Sequence, residues 1–183
     1  MSKSTRLQIH SRVPVTSWRD VLGEVLQVPH PTLWTHLQFR RFAQCPICNL
    51  HVREFFRNHE KITRAGIQEV IIFQSKREQL VEQNGEQLQS GNIHLVADPT
   101  RQLYQVFGVH KSLLSVAHPG AWWSTMKGVA QFGMHLPSSS ESMFCMPADF
   151  LVNPEGVIVA AHYGRHADDQ WSVDEMLQQR SAA

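Results

Sequence analysis

The chain has 183 residues, of which 42% are hydrophobic and 18% charged, with a formal net charge of +1. That length fills one core but crowds two, and the composition is that of a globular protein. Near-neutral charge leaves no electrostatic footprint for nucleic acid or an anionic membrane surface, and apolar runs of four or five residues cannot span a bilayer.

Residues 1–10 lack the apolar stretch of a secretory signal. Three cysteines, two of them in one Cys-x-x-Cys, suit a reducing compartment and a catalytic pair, so a cytoplasmic protein is expected.

In chain order, residues 13–18 and 25–28 read as short β pieces, followed by a strand over residues 33–42. A helix is expected over residues 46–65, ended by Gly66, with Cys48, Val52, Phe55, His59 and Ile62 on its buried face. Residues 70–73 have no polar alternation, as in a parallel strand covered on both faces. Ser75 and Glu78 form a capping-box signal for a helix to about residue 83, closed by Gly85. Another strand is expected at residues 94–97. Asp98 and Pro99 then supply the N-cap and first-turn proline of a helix ending at Phe107.

The order strand, helix, strand, helix implies βαβ crossovers and a parallel sheet. Residues 150–152 and 157–162, joined by Asn153-Pro154-Glu155-Gly156, read instead as an antiparallel hairpin, and Ser172 with Glu175 caps a last helix. Residues 110–144 form an insertion carrying Trp122 and Trp123, a pair suited to packing.

The chemistry is concentrated in Cys45-Pro46-Ile47-Cys48. Residues i and i+3 at a helix start share one face, about 5 Å apart, so two sulfurs there can bond without moving the backbone. Pro46 suits the first helical position. Free N–H groups and the positive end of the helix dipole favour thiolate at Cys45. The competing reading is zinc, since Cys45-x2-Cys48-x2-His51 could be completed by His162-x3-His166. A finger needs about 12–15 residues between its halves. Here more than a hundred intervene, which favours redox chemistry.

Around this pair, Arg40 and Arg41 alternate on a strand, so one should point toward each face. The one near the thiols would lower the Cys45 pKa further, or the two form a solvated strand end. His59 reads as a packed histidine, Cys145 as an unpaired surface or half-buried thiol, and Asp149 as a capped or edge-facing carboxylate.

Three segments, FRRFAQCPIC (residues 39–48), VADPTRQLYQVFGV (96–109) and MPADFLVNPEGVIVAAHYG (146–164), resemble the thioredoxin-like superfamily. More narrowly, they are similar to the peroxiredoxin-like branch of the alkyl hydroperoxide reductase/thiol-specific antioxidant family, and the likeness spans about residues 12–180. It implies an α/β fold in one domain over residues 1–183: a central mixed sheet flanked by helices, an N-terminal β extension, and the insertion before the late hairpin. Where peroxidatic members carry proline, Ser or Thr, and arginine, this chain has Gln38, Phe42 and Pro147. Pro147 falls where thioredoxins place a cis-proline against the CxxC, which would free the Met146 backbone to pair with an extended substrate.

The resemblance therefore implies a thiol–disulfide oxidoreductase whose site residues are Cys45, Cys48 and Pro147, with a reversible Cys45–Cys48 bond. A thiol peroxidase acting on hydroperoxides through Cys45 is the alternative, and a non-catalytic binding module the second. No cofactor or metal is expected. The partners would be a thiol or disulfide protein or a small thiol, and a hydroperoxide in the alternative.

Overall fold

The computed structural model describes residues 5–14, 17–84, 92–112, 126–127, 129–131, 137 and 141–183. A short antiparallel hairpin opens the fold, β1 (Ser17–Arg19) on β2 (Val25–Gln27). The main sheet has five strands in the order β5-β4-β3-β6-β7: β3 (Trp34–Phe39), β4 (Ile67–Phe73), β5 (Ile93–Ala97), β6 (Ala148–Val152) and β7 (Ile158–Tyr163). The first three run parallel, and β6 and β7 pair antiparallel. The helices are α1 (Pro46–Arg57), α2 (His59–Arg64), α3 (Arg77–Asn84), α4 (Gln102–Val106) and α5 (Val173–Ala182). No helix among the described residues is long and apolar enough to cross a membrane.

Alternation along the strands builds two layers. Leu37 and Phe39, Val70 and Ile72, and Phe150 and Val152 point to one face. There they meet Trp18 and Leu26 of the hairpin and Tyr104 and Phe107 at α4, with the Phe39 ring 5.0 Å from Phe107 and 5.1 Å from Tyr104. On the opposite face, Ile71, Phe73 and Leu95 pack on Val52 and Phe56 of α1. Leu151 meets Phe55, Trp171 and Met176.

Three local readings are corrected. The helix after Cys45 is broken at Asn58, where the Asn58 amide donates to the Glu54 carbonyl at 2.8 Å and competes with the backbone ladder. His59 consequently opens α2 and is half-buried rather than on the packed stripe. Ser75 does not cap α3: its hydroxyl accepts the Ala43 N–H at 2.7 Å and donates to Glu141. Gly85, Trp122 and Trp123, with most of the 110–144 insertion, lie outside the described residues.

Of the two remaining caps, one holds. Ser172 with Glu175 completes a capping box, whereas α4 starts at Gln102 with Arg101, not Asp98, at the N-cap and Pro99 ahead of the helix. Asp98 still accepts the N–H groups of Gln102 and Leu103 at 3.0 and 2.8 Å from outside it. The turn after β6 closes on Gly156, whose φ of +81° suits a residue without Cβ.

Topology fixes where chemistry can occur. Central β3 delivers the chain to α1, while β6 arrives antiparallel with Ala148 opposite Phe39. Residues 141–147 are thereby brought beside the start of α1, at the carboxyl end of β3, where open α/β sheets form their crevices.

Candidate active site

Cys45 is the N-cap of α1 (φ −65°, ψ 116°), and its Sγ accepts the Cys48 backbone N–H at 3.4 Å. The sulfur holds the place that a serine or aspartate oxygen takes at other helix starts. Pro46 follows in the first turn, as expected. Arg41 resolves the choice between the two arginines. Its Nη2 donates to Cys45 Sγ at 2.9 Å and its Nη1 to the Met143 carbonyl at 3.3 Å. All three cysteines are free thiols, and neither Cys45 nor Cys48 exposes more than 1% of its surface.

Burial opposes ionisation of both active-site thiols. At Cys48 it is overridden by the hydrogen bond from the Cys45 thiol and by the charge of Arg41, and the pKa falls to about 6. At Cys45, burial and the bond to Cys48 hold the proton well above the usual thiol range. At neutral pH the pair therefore carries one thiolate and one shared proton. This corrects the expectation of a Cys45 thiolate. The helix N-terminus and Arg41 do converge on Cys45 Sγ, yet the first ionisation falls on Cys48.

Cys145 is fully buried, not a surface thiol. Its Sγ lies 3.5 Å from Gln74 Oε1, and burial raises its pKa. The Met146–Pro147 bond is trans; among the described residues only Val28–Pro29 is cis. The Met146 N–H is already given to the His110 carbonyl at 3.1 Å, so it offers no pairing edge. Pro147 accepts the Gly164 N–H at 2.9 Å, and a Cβ on Gly164 would lie 2.7 Å from Pro147 Cγ. The residue anchors the approach to β6 against the end of β7.

Behind the thiols, the α1-facing side of the sheet carries an enclosed ionic cluster. His36 Nδ1 is 2.7 Å from Glu69 Oε1, and its Nε2 is 3.4 Å from Asp149 Oδ1. Arg40 Nη2 reaches the same Asp149 oxygen at 2.7 Å. Gln38 joins the halves, donating to Glu69 at 2.5 Å and accepting from Arg40. All five side chains are fully buried. Burial opposes charge on His36, but the carboxylates of Glu69 and Asp149 raise its pKa to about 9. Burial also opposes the Asp149 charge, but Arg40 and His36 hold its carboxyl well below the usual range. Asp149 is thus not at an edge but between β3 and β7, and its second oxygen accepts the Trp171 N–H at 3.3 Å. His51 moves oppositely: burial and the nearby Arg40 charge depress it to about 3.

The zinc spacing does not assemble. His162 pairs with Asp169 at 2.9 Å, and His51 packs its ring 5.1 Å from that of Phe55. Among the described residues the one group able to gather three metal-ligating atoms is Asp20, Glu24 and His94, on the hairpin and β5. Asp20 is already satisfied there by the N–H groups of Leu22 and Glu24 and by His94 at 3.2 Å.

Gln74, His36 and Glu69 escaped the sequence reading. Their signal was available: a histidine and a glutamate set among the apolar residues of two strands, and a glutamine just past the end of the second.

Residues 54–166 match the AhpC/TSA antioxidant enzyme family, a segment that begins beyond the dithiol. Among solved structures, a peroxiredoxin 6 mutant of Arenicola marina is similar at TM-score 0.71 and 12% identity, over 96% of this chain and 72% of the other. A peroxiredoxin-like protein from Aquifex aeolicus is similar at 0.68 and 10%, over 98% and 90%. The Xanthomonas campestris bacterioferritin comigratory protein, described for its alkyl peroxide reduction activity, is similar at 0.65 and 14%, over 94% and 96%. At such identities the likeness establishes the thioredoxin-like fold. No curated protein matches the chain.

Proposed function

The chain belongs to the AhpC/TSA antioxidant enzyme family, a family of oxidoreductases, and from that premise we propose that it is a thiol peroxidase using Cys45 and Cys48 as its redox couple. The observation that carries this reading is the Arg41 guanidinium, 2.9 Å from Cys45 Sγ in an enclosed site. Arg41 provides from the chain just after β3 the cation that peroxidatic relatives carry at the position of Pro147.

In the first step the shared proton passes from Cys45 to Cys48. The Cys45 thiolate attacks the distal oxygen of ROOH, the O–O bond breaks, and an S–O bond forms. The leaving alkoxide takes the Cys48 proton to become ROH, while Arg41 stabilises its developing charge. The Cys48 thiolate then attacks the sulfur of the Cys45 sulfenic acid, forming the disulfide and releasing hydroxide, which takes a proton from solvent to become water. Two thiols of an external reductant restore the pair, so dithiol–disulfide exchange is the second half of the cycle.

Burial of both sulfurs and the occupied Met146 N–H favour a small hydroperoxide over an extended polypeptide as the oxidising substrate. Protein disulfide exchange as the primary activity therefore ranks second. Stopped-flow oxidation of the reduced protein by hydrogen peroxide and cumene hydroperoxide tests the proposal, with dimedone trapping in Cys48→Ser. Rates well above that of free cysteine and a Cys45 sulfenate adduct are expected. A rate equal to that of free cysteine would reject peroxidase activity.

A further inference from the structure

Two carboxylates, Glu69 and Asp149, are enclosed on the sheet face that packs against α1, and Arg40 is placed to answer only one of them. Its guanidinium meets Asp149 at 2.7 Å, while Glu69 is met by the Gln38 amide, which brings no charge. The second positive charge has to come from His36. Its ring presents Nδ1 to Glu69 Oε1 at 2.7 Å and Nε2 to Asp149 Oδ1 at 3.4 Å, so both nitrogens face carboxylate oxygen. A neutral imidazole would set a lone pair against one of these carboxylates; imidazolium has a proton for each. The ring also lies between aromatic neighbours, 5.7 Å from Phe55 and 5.8 Å from Trp171, a setting that favours a cation.

We infer that His36 is a positioning residue of the redox site: its proton cancels the second carboxylate, so that no net negative charge lies behind the Cys45–Cys48 pair. This role rests on the dithiol reading proposed above. Arg40 is the link between the cluster and the sulfurs. It stands next to Arg41, which holds Cys45 Sγ, and its own charge is among those that lower Cys48. Arg40, Asp149 and His36 all act on His51, one helical turn beyond Cys48 on α1. The cluster's field therefore reaches the start of α1 through an enclosed interior, where charges act more strongly than in water. With His36 protonated, two cations stand against two carboxylates. Without that proton, two carboxylates face Arg40 alone, and the surplus negative charge opposes a thiolate. The groups facing His36 are Arg40 at the end of β3, Glu69 of β4, Asp149 of β6 and His51 of α1, the last held neutral. Beyond the Trp171 ring, His162 of β7 is already paired with Asp169.

Thiolate absorbance against pH, with iodoacetamide alkylation of the pair as a second reading, tests this in the reduced wild-type protein, His36→Gln and the double variant His36→Gln/Glu69→Gln. His36→Gln alone leaves one surplus carboxylate, and the thiolate midpoint should rise by about one pH unit. The double variant puts an uncharged amide at each position, leaves Arg40 paired with Asp149, and should return to the wild-type midpoint. A purely structural role gives the reverse order, because the double variant loses more native contacts than the single one. A midpoint unmoved in His36→Gln, or displaced as far in the double variant, would overturn the role. Nitrogen NMR of histidine-labelled wild-type protein reads the same charge without any substitution. At about pH 7.5, where an ordinary histidine is mostly neutral, both His36 ring nitrogens should carry protons. A neutral ring there would overturn the role even were His36→Gln to fail to fold. Diamide separates the two readings. A Cys45–Cys48 disulfide formed by a protein whose midpoint ignores His36 would sink the positioning role alone. Failure of diamide to join Cys45 to Cys48 would sink the dithiol reading and the role with it.

Discussion

At Arg41 one side chain decides whether a buried thiol pair can be ionised at neutral pH. Burial disfavours any thiolate at this depth, and the charge of Arg41 is the principal external force against it. Arg41→Gln keeps a hydrogen-bond donor but removes the charge. The first thiolate, at about pH 6 in the native pair, should move upward by about one to two pH units. Thiolate absorbance at 240 nm against pH checks this; an unchanged midpoint would assign the low value to the helix end instead. Sequence reading reached the right pair of arginines but could not choose between them. Strand alternation stops at Phe39, so the period of two no longer governs where residues 40 and 41 point. The burial of Asp149 was illegible for a related reason: its neutralising partner, Arg40, is 109 residues away.

At the level of elements, most of the chain was readable because local signals and tertiary packing agree. The short apolar strands, the Ser172 cap and the late hairpin stand as expected, with ends shifted by a few residues. Disagreement arises where a side chain has a better tertiary partner. Ser75 forgoes its capping role to join Ala43 to Glu141, and Asn58 interrupts a helix whose apolar pattern runs on. Asp98 shows the opposite case. Its carboxylate accepts Gln102 and Leu103 N–H groups and so fixes α4, on which Tyr104 reaches the Ile72 carbonyl at 2.9 Å. Asp98→Ala should cost about 1–2 kcal/mol, a fall in Tm of roughly 2–8 °C for a chain this size. Differential scanning calorimetry measures it. A loss below about 0.5 kcal/mol would show that Tyr104 packing holds α4 without the Asp98 carboxylate.

Across the whole molecule, the ionic cluster and the dithiol make opposite demands on pH. His36 has its folded pKa raised to about 9, so its contribution is complete below the unfolded value of about 6.5 and is lost as pH rises through 9. Cys48 has its folded pKa lowered to about 6, so its contribution grows as pH rises from there toward the unfolded thiol value of about 8.5. Over most of the range between 6.5 and 9 the folded protein keeps the His36 proton that the unfolded chain has lost. It has also lost the Cys48 proton that the unfolded chain keeps. The two differences cancel, and the reduced protein should be nearly flat in stability across this window. Oxidation removes the thiolate and leaves His36 alone. The disulfide form should then lose about 1.4 kcal/mol per pH unit over the same range. Below about pH 6.5 both forms should weaken, because His51, depressed to about 3, resists the proton that the unfolded chain accepts. Urea denaturation of the reduced and diamide-oxidised protein at intervals from pH 5 to 9 reads the slopes directly. His36→Gln should flatten the oxidised profile, at a lower stability overall because it leaves two buried carboxylates facing one arginine. Equal slopes in the two redox states would mean that the thiol pair carries no charge in the folded protein, and the peroxidase mechanism would lose its nucleophile.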